Sequence, residues 1–415
     1  MHSSFFLDAL TVLTLVAGCF ALLNHHLLKL PFSIGLMVAG LLSSILVLTL
    51  DVIFPSWKIT AWMLPFLRSI DFRDLLMKGM LSFLLFAGAL HINWTLLRSK
   101  LRAVISMATL GVLISTLLIG IGSYFLFHWM GLSIPLAFCL VFGALISPTD
   151  PIAVLSIMNQ IPSKQDMKIK IAGESLFNDG VGVVLFSVLL SVAMGTQESS
   201  LIHYVTHMMV TEVLGGLACG LALGFLTSWL LRSIEDANLE VFLSFALVLL
   251  INSLGSWAHI SSPLAAVCAG LFLGNHGKSH SMSQNTQQAL DTIWTFADHA
   301  LNAILFMLIG LEMLVIDLEP RLLILMLPFV LLLLSSRLLA VSIPISILRR
   351  FENYPRGTIS ILTWGGLRGG ISIALALSLP DFEGRDWIIQ ITYALVIFSV
   401  LVQGLSIKKL IARFL

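Results

Sequence analysis

The sequence predicts an all-α polytopic membrane protein with about thirteen transmembrane helices. Three observations lead there. Hydrophobic residues make up 58% of the 415-residue chain and charged residues only 11%, against roughly 45–50% and about 25% in soluble domains. Mean hydropathy is +1.00. The apolar excess is not one block but recurs along the chain as runs divided by short polar joints. Only helices and closed barrels satisfy their backbone in lipid. The runs far exceed the roughly 10-residue alternating strands of a barrel, so helices remain.

A span needs roughly 17–25 apolar residues. In chain order the candidates are 5–23, 31–50, 75–93, 103–127, 134–158, 169–194, 206–231, 239–257, 261–275, 293–315, 322–347, 357–379 and 387–407. The first lacks a basic leader and a convincing cleavage site, so it is expected to be retained. Segment 261–275 is short, with Pro263 near its start. Residues 52–70 hold Trp57, Trp62 and Pro65 beside Lys58 and Arg68 and are expected to form an interfacial loop, since aromatics gather at headgroup level. Glu312, near the outer end of its span, is also placed at the interface. The polar stretch Gly274 to Asp291 is expected to be a loop, and no soluble domain is expected.

Lys and Arg in short joints set orientation. Odd-numbered joints hold Lys29; Arg98, Lys100 and Arg102; Lys164, Lys168 and Lys170; Arg232; Lys278; and Arg349, Arg350 and Arg356. The tail adds Lys408, Lys409 and Arg413. Even joints hold Arg321 and Arg385, except the second, which carries Lys58, Arg68, Arg73 and Lys78. The bias puts the C-terminus in the cytoplasm and the N-terminus outside. An odd span count agrees. With no regulatory tail expected, the membrane is expected to be a bacterial inner (plasma) membrane.

A net charge of +1 implies no nucleic-acid partner. Cys19, Cys139, Cys219 and Cys268 each lie alone in apolar runs and read as small buried hydrophobes. The eleven histidines show no metal spacing. His276 and His280 read as solvated loop residues. No cofactor is expected.

Polar residues inside the runs carry the chemistry. Pro148 and Pro151 flank Thr149 and Asp150 in the fifth run. Proline removes a backbone donor and clashes with the preceding turn, so this span is expected to unwind at mid-membrane. Its freed carbonyls, Thr149 and Asp150 would then face an ion. In the sixth run Glu174 and Asn178 are four apart, as are Ser175 and Asp179, forming adjoining rows on a helix. Hard oxygen ligands without thiol or imidazole suit a cation such as Na⁺. An ionisable group at this depth costs roughly 2.5–3.5 kcal/mol on insertion scales. Loss of hydration favours the neutral acid, so such a carboxylate also exchanges protons. The twelfth run is broken by Gly365-Gly366-Leu367-Arg368-Gly369-Gly370. Seven spans separate the two breaks, which gives them opposite orientation, as inverted repeats with discontinuous helices require. Arg337 is a further intramembrane cation. At least one buried ion pair is therefore expected.

The segments Ser147–Val154, Gly173–Gly180 and Gly365–Ile371 resemble the signature segments of NhaP-type sodium/proton antiporters, relatives of the animal sodium/proton exchangers. The resemblance covers nearly the whole chain. It implies crossed, unwound fifth and twelfth helices, and a homodimer. It also implies a transport core at about 103–194 and 322–407 that moves like an elevator against a dimerisation part at 5–93 and 206–315. By position, Asp179 matches the ion- and proton-carrying aspartate. Asn178 matches the asparagine of a pair associated with electroneutral exchange. Asp150, Thr149, Ser175 and Glu174 match neighbouring site residues, with Asp179, Asp150, Thr149 and Ser175 as Na⁺ ligands. The family's glutamate pairs with an arginine that maps to Arg337. One departure is Ala87, where many members carry a glutamate.

Competing readings apply at several positions. Asp150 also reads as a cap for the broken helix. Glu174 reads as structural partner of Arg337 rather than as ligand. Arg368 reads as a positioning residue, binding near the aspartates or offsetting a half-helix dipole. The function expected is exchange of Na⁺, with Li⁺ as further cargo, for H⁺ at Asp179, serving pH homeostasis. The alternatives are K⁺/H⁺ exchange, a channel and an intramembrane aspartyl protease. The last lacks a Gly-x-Gly-Asp context, since Asp179 follows Phe177-Asn178.

Overall fold

Each of the thirteen predicted segments is helical in the computed structural model. It describes residues 2–414 except 160–164, 196–200, 317–318, 320–321, 351 and 353. Lys164 and Arg321 of the charge pattern lie outside the described residues. Among the described residues, nine helices are long and apolar enough to cross a membrane. Of the other four, the third (72–90) and ninth (262–281) run through a wide π-type turn, as spans one, four, seven and thirteen also do, and the fifth and twelfth are broken.

Helix ends follow side-chain caps more closely than hydropathy. Span four begins at Trp94, well before the apolar run, because the Asn93 side-chain Oδ1 accepts the Leu96 N–H at 3.1 Å. Arg98, Lys100 and Arg102 therefore sit on a helix end, not in a joint. Charges halt a hydropathy run, but not a helix that has left the hydrocarbon.

Two expected loops are helical. Residues Ile59–Ser69 form a helix because the Asp51 carboxylate accepts the free N–H groups of Ile59 (2.7 Å) and Thr60 (2.8 Å), the donors every helix start leaves open. Trp62 on it is fully exposed. The stretch 274–291 is helical save for residues 282–283. Ser283 caps the tenth span through Thr286 N–H, and Lys278 pairs with Asp291 at 2.5 Å. His276 and His280 consequently stack on one helix face, 4.5 Å apart.

Spans four, five, six and eleven pack closely together, and spans twelve and thirteen pack against each other and against them. Spans two and ten form a second body. They lie along each other, with Ser44 Oγ donating to Gly310 O at 3.1 Å. Span nine packs between spans three and seven. Between these bodies lies the cavity described below.

Candidate ion-binding site

Span five is a helix over Leu136–Ile146, an irregular stretch, and a second helix over Ile152–Asn159. The break follows from its prolines, and every backbone group it frees needs a partner in an apolar layer. Arg368 Nη1 donates to Ser147 O (2.5 Å) and Pro148 O (2.9 Å). Ser175 Oγ donates to Thr149 O (2.5 Å). Asp150 Oδ1 accepts Ile152 N–H (2.8 Å), capping the second half-helix. The carbonyls expected to face an ion are thus held by protein donors. Of the expected set, the side chains of Thr149 and Asp150 reach the cavity.

Span twelve breaks between Thr358–Trp364 and Gly370–Leu377. The two breaks cross and bond: Asp150 N–H donates to Leu367 O at 2.8 Å. Glycine is required by crowding here. A Cβ on Gly366 would stand 2.4 Å from Arg337 Nε, and one on Gly369 would stand 2.6 Å from Asp150 Oδ2. Span thirteen braces the crossing from behind. At its wide turn, Ser399 Oγ accepts Arg368 N–H (2.9 Å), and Gln403 Nε2 donates to Trp364 O (3.2 Å).

Span six, Gln165–Met194, carries the polar rows. Its residues divide between two tasks. Glu174 Oε1 receives Arg337 Nη1 at 2.5 Å, and Arg337 Nη2 donates to Leu362 O at 3.2 Å. Both charged groups are buried. Asn178 is fully buried, at 0% exposure. Its Nδ2 donates to Thr149 Oγ1 (2.8 Å), and its Oδ1 accepts Thr149 N–H (3.5 Å). Ser175, which holds Thr149 from its other side, and Asp179 line the cavity. Asp179, only 8% exposed, has no hydrogen-bond or ion-pair partner among the described residues.

The cavity has a volume of about 680 Å³. Thr149, Asp150, Ser175 and Asp179 line one wall; Glu174, Asn178, Arg337 and Arg368 do not reach it. The rest of the lining is mainly leucine and other apolar side chains. Its mouth reaches His91, Asn93 and Gln165, all at odd-numbered joints. Ala87 packs away from it, fully buried against spans eight to ten. The opposite wall belongs to span ten and holds Asp298, His299 and Asn302. Asn302 Nδ2 donates to Asp298 Oδ1 at 3.0 Å. These residues were missed in the sequence, although an acid and an amide four apart in an apolar run is the same signal that marks Glu174 and Asn178. Ser399 and Gln403 carried no signal, because an isolated polar residue in a span does not say which backbone it serves.

Two crossed, interrupted helices around a buried carboxylate, in a bundle of this kind, define a secondary transporter and not an enzyme. The family described as sodium/hydrogen exchanger, transmembrane, matches residues 11–413. The chain belongs to the sodium/hydrogen exchanger family. It is similar to the Na(+)/H(+) antiporter NhaP of Pseudomonas aeruginosa, at 42% identity over 97% of both chains. It is also similar to the Na(+)/H(+) antiporter NhaH of Halobacillus aidingensis, at 35% identity over 93% of both. The fold matches the sodium proton antiporter MjNhaP1 of Methanocaldococcus jannaschii, with a TM-score of 0.72 and 19% identity over 99% of both chains.

Proposed function

We propose that this chain exchanges Na⁺ for H⁺ one for one, with Asp179 binding either but not both. The observation that carries the reading is the contrast within span six. Glu174 has an arginine, and Asp179 has an open cavity and no partner among the described residues. A carboxylate deprived of hydration gains from any ligand that neutralises it. A bound cation or a bound proton meets that need, and each excludes the other. Thr149, Ser175 and Asp150 bring hard oxygens beside it, the donor type that Na⁺ takes. Glu174, Arg337, Arg368 and Asn178 hold the frame, with one buried pair and an amide clamp on the broken helix. Family membership and the printed activities of the relatives at 42% and 35% identity support Na⁺ as cargo.

Exchange of one charge for one charge leaves the cycle electroneutral. The core at 103–194 and 322–407 moves against 5–93 and 206–315, which pairs with a second copy. The protein lies in the plasma membrane with its N-terminus outside and C-terminus in the cytoplasm. In that orientation a cavity mouth at His91, Asn93 and Gln165 faces the cytoplasm.

The test is proton flux in proteoliposomes on addition of Na⁺, Li⁺ or K⁺, with wild type beside Asp179→Asn. Wild type should move protons with Na⁺, and the variant should match empty liposomes. Normal exchange by Asp179→Asn would sink the site assignment, and a preference for K⁺ would change the cargo. Transport driven by membrane potential alone would overturn the one-for-one stoichiometry.

A further inference from the structure

We propose that Asp298 is a second cation station, which gathers the ion inside the mouth and hands it to Asp150 and Asp179. The inference rests on the antiport reading and adds a residue on the opposite wall. Asp298 lines the same cavity as Asp150 and Asp179 but stands on span ten. It lies one helical turn beyond Thr295, whose Oγ1 meets His91 Nε2 at 3.4 Å in the mouth. From there it faces inward, near enough to Asp150 for the two charges to interact. Its position is therefore between the mouth and the central site.

Asp298 and the amide oxygen of Asn302 offer a cation oxygen donors, in a lining that also holds Lys168, His91 and His299. Asn302 occupies one carboxylate oxygen, and no ion-pair partner is present for Asp298 among the described residues. The Asn302 Oδ1, itself shielded from solvent, has no protein partner either. The flanking imidazole, His299, is turned edge-on to Phe32 at 5.9 Å between ring centres and stands near enough to Asp298 for the two to interact electrostatically. Around them the lining is largely apolar. A negative group in a low-dielectric cleft concentrates cations there. A structural role is poorly served by this geometry. The bond to Asn302 stays within one helix and ties span ten to no neighbour.

The location predicts a one-sided effect. Among the described residues, the cavity that Asp298 lines reaches the odd-numbered joints at His91, Asn93 and Gln165. Asp298→Asn should raise the half-saturating Na⁺ concentration about tenfold when Na⁺ is offered at that face, the size expected for losing one nearby charge. Everted membrane vesicles present this face. The maximum rate should hold, and right-side-out vesicles should show unchanged affinity. Asp298→Glu should behave as wild type, because the charge is kept. An unchanged affinity at both faces, or an equal loss at both, overturns the proposal. So does a lost maximum rate at saturating Na⁺, which would place Asp298 in the central site. Failure of Asp298→Asn to accumulate in the membrane, or a Glu variant as weak as Asn, would assign it a structural part instead. Absence of Na⁺-driven proton flux in wild type would defeat the antiport reading itself. Normal wild-type flux, lost in Asp179→Asn but unaltered in Asp298→Asn, would defeat only this inference.

Discussion

The two buried carboxylates of span six stand five residues apart, and they live in opposite worlds. Glu174 faces span eleven and is locked to Arg337; Asp179 faces a cavity and is locked to nothing among the described residues. The helix and the chemical group are shared, so the difference lies in the neighbours. A paired charge at depth is a fixture, because removing its partner strands the other ion. Burial alone does not separate the two acids; a protein counter-charge does, and the proposed function assigns the mobile ion to the acid that lacks one.

The comparison breaks most sharply at Asp179. Asp179→Asn should abolish cation-driven proton flux while leaving thermal stability equal or higher, since it removes an uncompensated charge. Glu174→Gln should do the reverse. It leaves Arg337 buried without its acid, which costs about 3–5 kcal/mol, seen as a large fall in the unfolding midpoint in detergent. Adding Arg337→Met to it should recover most of that loss. If Glu174→Gln kept full stability and lost transport, the two acids would be alike and the division of span six wrong.

Next in size come changes that press on the frame without removing a charge. Gly369→Ala pushes a methyl against the Asp150 carboxylate, where it would stand 2.6 Å from Oδ2. Overpacking of this kind costs about 1–3 kcal/mol, and here it also displaces a group that lines the cavity. The half-saturating Na⁺ concentration should rise along with the fall in stability. Asn178→Ala removes both bonds to Thr149, at about 1–3 kcal/mol, and should slow exchange through loosening of the break. If Asn178→Ala changed ion selectivity at unaltered stability, Asn178 would be a ligand and not a clamp.

Most of the span pattern was legible because lipid imposes it. Long apolar runs, a double proline and a four-glycine cluster each have one physical reading at membrane depth. The polar rows of span six were legible as rows, since spacing fixes which residues share a face. Spacing did not fix which row met a partner. That depended on span eleven bringing Arg337 to Glu174, which the sequence suggested only through the cost of lone charges and the family resemblance. The destinations of the freed carbonyls were less legible still. Arg368 lies 220 residues from the Pro148 carbonyl it binds, and no local pattern encodes that distance. Hydropathy misjudged the segments 59–69 and 274–291 for a different reason. Polar residues report departure from the bilayer, whereas the end of a helix is set by caps such as Asp51 and Ser283.

The smallest predicted effect probes the least legible support. Ser399 is fully buried and accepts the Arg368 backbone N–H at 2.9 Å from the wide turn of span thirteen. Ser399→Ala leaves that N–H without a partner, at a cost of about 1 kcal/mol. It neither adds nor removes charge and does not touch the cavity. Arg368 should keep its hold on Ser147 and Pro148, so Na⁺ affinity should stay within twofold of wild type. The unfolding midpoint should drop by a few degrees. A large loss of Na⁺ affinity in Ser399→Ala, with stability nearly intact, would mean that the rear brace sets the ion site directly. The crossing would then act as one flexible unit with Asp179, and the separation between a fixed frame and a free carboxylate would have to be abandoned.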